Sequence, residues 1–150
     1  MKRISFAVII CLLAPWCAAE FETTAHFDHY TVHYSVFPST MVSAEVAALH
    51  NITRGSDTAL INIVVIDEQN KAKVYGQNAE VSGSATNLMQ QRRDLEFRAI
   101  KEPNTVYYLA SYRHINEEII HFVITIDPEG DAGPYELKFT KTLYIDPSLR

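Results

Sequence analysis

An antiparallel all-β sandwich is the fold class this sequence predicts, and three observations predict it. Apolar and polar residues alternate with a period of two through most of the chain after residue 28, the pattern of half-buried strands. Turn-forming clusters recur about every ten residues. Only one short stretch, around residues 44–50, carries the signature of a helix.

The first residues read as a targeting segment. Lys2 and Arg3 supply a positive start, Ile4 to Leu13 an apolar stretch broken by Ser5, and Cys17, Ala18 and Ala19 a small-residue cleavage site. A membrane-spanning helix needs roughly 20 apolar residues, and this run is shorter. The expectation is a signal peptide, residues 1–19, cut after Ala19. Neither Cys11 nor Cys17 suits lipid modification, because Ile10 and Trp16 precede them in place of small residues. Cleavage would leave 131 of the 150 residues as one domain, and both cysteines would leave with the leader. Without disulfides the domain must stand on its core, which is feasible because a chain of this size buries roughly two-thirds of its unfolded surface.

Strands follow in order. Tyr30, Val32, Tyr34 and Val36 share one face of the first, with His29, Thr31, His33 and Ser35 on the other, and Pro38 ends it. Ser43 suits a helix N-cap and Glu45 its first turn, with Val46, Ala47 and Leu49 as apolar contacts and His50 and Asn51 at the end. Thr58 to Ile66 is almost continuously apolar, as a central strand should be, and Asp67 to Lys71 turn. Asn78 to Thr86 is a more polar strand in which Gly83 marks a bulge or a close approach. Gln90 to Arg93 are read as a turn, and in the next strand Leu95, Phe97 and Ala99 alternate with Glu96, Arg98 and Ile100. After a turn at Pro103 and Asn104 comes a strand over Thr105 to Tyr112. A polar hairpin loop, Arg113 to Glu118, leads to Ile119 to Ile126, where Ile120, Phe122, Ile124 and Ile126 share a side. A loop from Pro128 to Pro134 precedes the last strand, Tyr135 to Ile145. Seven or eight strands in this arrangement predict a sandwich of immunoglobulin type, with a closed barrel as the alternative.

Charge narrows the function. With Lys2 and Arg3 removed, the 13 basic residues fall to 11 against 18 acidic ones, a formal net charge of −7. An acidic domain lacks the basic footprint of a nucleic-acid binder and the attraction of a polybasic surface for anionic lipid. Catalysis finds little support: the domain has no cysteine, no Gly-x-Ser-x-Gly elbow and no phosphate loop. The expectation is a protein that is no enzyme and carries no cofactor. The loop Asp127 to Gly133 alternates carboxylates but has Ala132 and Lys138 where a calcium loop needs glycine and glutamate. Arg92, Arg93 and Arg98 form a basic group beside Asp94 and Glu96, read as locally paired surface. Tyr30, Tyr34, Tyr107, Tyr108, Tyr112 and Tyr144 are read as packing residues.

Two sets of residues remain as candidate sites. Phe37, Ser39 and Thr40, with Asn116, Glu117 and Glu118, form a candidate interaction patch for another envelope protein. The alternative is a metal site drawn from His26, His29 and His33. In a strand His29 and His33 share a face but stand about 13 Å apart, so one ion reaches both only if the strand bends. His50, His114 and His121 are scattered.

Taken in order, the segments YTVHYSVFPST (30–40), EVAAL (45–49), ALINIVV (59–65), ATNL (85–88), LEFR (95–98), VYYLA (106–110) and NEE (116–118) resemble a family of small exported proteins of Gram-negative bacteria. That family is known only as a domain of unknown function. The resemblance implies an immunoglobulin-like sandwich and an envelope, periplasmic location. It implies no activity and brings no site residues with it.

Overall fold

The computed structural model describes residues 23–70, 76–103, 105–129 and 133–147. The predicted signal peptide, with Cys11 and Cys17, and the middle of the loop at residues 130–132 lie outside them.

Nine strands build two antiparallel sheets. They are β1 (Thr24–Phe27), β2 (Tyr30–Pro38), β3 (Thr58–Asp67), β4 (Ala79–Asn87), β5 (Arg92–Leu95), β6 (Arg98–Glu102), β7 (Thr105–Arg113), β8 (Glu118–Pro128) and β9 (Tyr135–Leu143). The first sheet runs β1-β2-β3-β7-β6 and the second β5-β4-β8-β9. Setting β1 aside, this is the immunoglobulin arrangement: β2, β3, β7 and β6 stand as strands A, B, E and D, and β5, β4, β8 and β9 as C′, C, F and G.

Alternation dictates the core. Val32, Ile61, Ile63 and Val65 point inward from the first sheet, and Ile120, Phe122, Ile124 and Ile126 from the second; all are at most 1% exposed. Each such side chain contributes about 2 kcal/mol by leaving water. Phe122 stacks on Phe139 at 4.9 Å between ring centres and meets Tyr112 of the facing sheet edge-on at 6.2 Å. The sheets are also tied by a polar bond. The Tyr108 hydroxyl, from β7, accepts from the backbone N–H of Ala79 at the start of β4 and reaches the carbonyl of Gln77. Burial is the main cause that holds the Tyr108 phenol above its ordinary pKa.

Between β2 and β3 lie a 3-10 turn (Ser39–Met41) and the one helix, α1 (Ala44–Leu49). Ser43 caps α1 as expected, its hydroxyl oxygen accepting from the Val46 N–H at 3.2 Å. Ala47 is the buried residue of the helix. Leu49, expected inside, is 75% exposed, because a six-residue helix offers too narrow a stripe to bury three apolar side chains.

Three local expectations are corrected. The sequence reading begins its strands at His29, but Thr24–Phe27 already form one, paired with β2 through a tight turn in which Asp28 takes a positive φ. Arg92 and Arg93, read as turn, begin β5. The single strand expected around Leu95 to Ile100 is two: the chain leaves the second sheet after Leu95 and enters the first at Arg98. Ala99, in register with Tyr108, is exposed on this edge strand, while Ile100 faces away from the core and is buried there with Leu60 and Leu109, against which Val42 and Ile52 pack.

Candidate functional site

Strand direction sorts the connections into two groups. At one end lie residues 39–57, 88–91, 114–117 and the segment after β9, 144–147; at the other lie 28–29, 68–70, 76–78, 103, 129 and 133–134. The candidate patch read from sequence falls at the first end. There the structure joins its two halves through the segment after β9. Thr40 Oγ1 donates to Asp146 Oδ2, and the Ile145 N–H donates to Asn116 Oδ1 at 3.1 Å. The Asp146 N–H reaches the carbonyl of Ser56 at 2.8 Å.

Individual members of the patch play different parts. Ser39 is 0% exposed; its hydroxyl donates to the carbonyl of Gly55 and accepts from the N–H of the same residue, so it shapes the loop from within. Phe37 is half-buried against Leu60 and Leu109. The Glu118 carboxylate accepts from Asn87 Nδ2 and from the Ile115 N–H, fixing the β7–β8 loop to β4. Asn116 and Glu117 are exposed, and Glu117 holds a positive φ at the tip. At the base, Arg113 Nε meets Asp57 Oδ2 at 2.5 Å, and that guanidinium holds the Asp57 carboxyl below its ordinary range.

The sequence reading missed the apolar character of this end. Seven large apolar side chains are exposed among the described residues, between 43% and 75%. Met41, Val46 and Leu49 lie in the first connection, Leu88 and Met89 in the second, Ile115 in the third and Tyr144 in the last. The opposite end exposes none among the described residues. Tyr144 is among the exposed set although it was expected to pack, because β9 ends one residue before it. Tyr30, Tyr108 and Tyr112 are in the core as expected. A clue lay in the chain: Leu88, Met89 and Ile115 are apolar residues inside turns, where polar ones are usual.

The three histidines of the alternative site each take a separate partner. His26 Nδ1 stands 3.1 Å from Thr31 Oγ1, which itself donates to Glu68. His33 meets Thr24 across the β1–β2 hairpin. His29 lies against the Tyr30 ring, with its Nε2 3.9 Å from Asp67. Among the described residues, no group of three or more His, Cys, Asp or Glu side chains is placed to hold a metal ion. The arginines are engaged locally: Arg92 with Asp94, Arg93 over the Tyr112 ring, and Arg98 on the carbonyls of His50 and Asn51.

The fold is thus an immunoglobulin-like sandwich whose distinctive surface is a stitched, apolar loop end. Comparison with known proteins agrees with the fold and refines the family. The family model of DUF4426, a domain of unknown function, matches residues 24–146, and the chain belongs to this family. Its fold is similar to the crystal structure of a DUF4426 family protein from Pseudomonas aeruginosa, with a TM-score of 0.72 at 28% identity over 82% of this chain and 94% of that one. A search of the curated proteins finds no match.

Proposed function

We propose that this protein is an exported, non-catalytic binding module of the bacterial envelope that docks another envelope protein through its apolar loop end. One observation carries the reading: all seven exposed large apolar side chains of the described residues fall in the four connections at that end. Exposed apolar groups gathered in one region mark interaction surfaces, and aromatic and Met side chains are enriched at interface cores. The hydrogen bonds around Ser39, Thr40, Asn116 and Glu118 hold these loops in place before binding, which lowers the ordering cost of association. Asn116 and Glu117 supply a polar rim. The leader read at residues 1–19 supports export to the periplasm, and among the described residues no helix is long and apolar enough to cross a membrane.

The test is a cross-linking pull-down of the tagged full-length protein from its native host, compared with the triple variant Leu88→Ser, Ile115→Ser, Tyr144→Ser. The side chains changed are exposed, so the melting temperature should stay within a few degrees. The expected result is one reproducible envelope partner that the variant loses. A partner set unaltered by the variant contradicts the proposal.

A further inference from the structure

The first strand covers only part of its neighbour. β1 pairs with β2 from Phe27 and Tyr30 to Thr24 and His33, and the Tyr34 N–H adds one rung by donating to the carbonyl of Thr23 at 2.8 Å. β2 itself runs on to Pro38. Hydrogen-bonding directions alternate along a strand, so the Val36 N–H points to the same side as that of Tyr34. Among the described residues no strand lies beside it there. An open stretch of edge is a liability that native sheets ordinarily cover.

Beside this stretch the seam between the two sheets is open. A cleft of about 260 Å³ lies between the end of β2, with Val36, and the end of β9, with Lys141 and Leu143. Ring contacts fix how the strands run along the seam. Phe27 stacks on Tyr135 with 5.0 Å between ring centres, and Tyr34, which bonds Thr23, stacks on Phe139 at 4.7 Å. The next inward place on each strand is two residues further on. On β2 it is Val36 and on β9 it is Lys141, and both line the cleft. On the line of β1 it is position 21, a phenylalanine.

We propose that residues 20–22 continue β1 along β2, with Glu22 opposite Ser35 and Phe21 opposite Val36, and that the Phe21 ring fills the cleft. The observed register selects this residue, because a slip by one would turn Glu20 or Glu22 inward. Size agrees: a dry cavity of about 150 Å³ holds benzene, so the cleft has room for a phenylalanine side chain. Val36, Leu143 and the apolar stem of Lys141 offer it contacts. Length agrees as well. In the same register Ala19 stands opposite Pro38, which ends β2 and has no N–H to give. Cutting the leader after Ala19 therefore frees an arm of the length that β2 can pair, and maturation completes the sheet. The inference rests on the leader reading for its free end and is independent of the docking partner.

Amide exchange at Val36 reads the arm directly. The protein is exported with its own leader, purified, and weighed as an intact chain, which locates its first residue separately. The Val36 N–H should exchange at least about a hundredfold more slowly than in the variant Phe21→Ser. That variant should melt about 5 °C lower. A second measurement uses the pair Glu22→Cys and Ser35→Cys. These positions flank the bonded pair of Thr23 and Tyr34, so they fall where cross-strand side chains come closest, and they should close to a disulfide. Glu20→Cys with Ser35→Cys, out of register, should stay reduced. Equal exchange at Val36 with and without the Phe21 ring, or equal closure of both cysteine pairs, would overturn the inference, as would a first residue beyond Phe21. A first residue before Glu20 would contradict the cut after Ala19, and the Val36 amide would still decide the strand.

Discussion

The Tyr108 hydroxyl accepts the backbone N–H of Ala79 at 2.5 Å, joining the middle of one sheet to the first residue of β4 in the other. With no cysteine among the described residues, bonds of this kind supply the polar ties between the sheets. Tyr108→Phe keeps the ring and its packing but leaves the Ala79 N–H without its partner. The loss should be about 1–2 kcal/mol. Urea unfolding should show a lower midpoint with an unchanged slope; an unchanged midpoint would mean that water replaces the hydroxyl at no cost.

Gly83 of β4 is in register with Ile124 of β8. A Cβ there would stand 2.7 Å from the carbonyl oxygen of Val123 and 2.8 Å from Ile124 Cδ1. The backbone carbonyl cannot retreat without breaking the ladder. Gly83→Ala should therefore destabilise the fold by about 1–3 kcal/mol, as overpacking does. Thermal unfolding of the variant measures it, and a gain in stability would show that β4 can shift outward.

Asp57 gives a pH dependence. Its hydrogen bond from Arg113 lowers its pKa from the ordinary 3.8. A lowered pKa in the folded state favours folding above the unfolded value, and this contribution disappears as pH falls through the folded one. Asp57→Asn should thus be less stable than the natural protein at neutral pH. The two melting temperatures should begin to draw together as pH falls below the ordinary 3.8 and converge as it passes through the lower folded-state value. A gap that stays constant down to pH 2 would refute the pairing.

How much of this was legible in the chain depended on pattern length. β2 and β8 run nine and eleven residues, enough for period-two alternation to fix both their existence and their inward faces. β1 and β5 are four residues each, too short for a period to declare itself. The crossing from Leu95 to Arg98 preserves alternation while changing sheets, so one strand and two read alike, and the burial of Ile100 on the outer face depends on Val42 and Ile52, which are distant in the chain. The unbroken apolar run of β3 was read as a central strand, which it is. That run also reflects a second apolar layer on the outer face of the sheet, where Leu60 clusters with Ile100 and Leu109. The candidate patch was placed at the correct end by its loop residues, but Ser39 and Glu118 serve the loop scaffold. The exposed apolar set was hidden because each member lies in a different connection, and only the fold gathers them.

The most direct test of the docking end is position-specific photo-cross-linking in living cells. A photoreactive residue is placed singly at Leu88 or Ile115, at the apolar end, and at Gln69 or Glu129, exposed at the opposite end. The account predicts one discrete adduct of the same mass from Leu88 and Ile115 and none from Gln69 or Glu129. Adducts only from the opposite end, or equal adducts from all four positions, would contradict it.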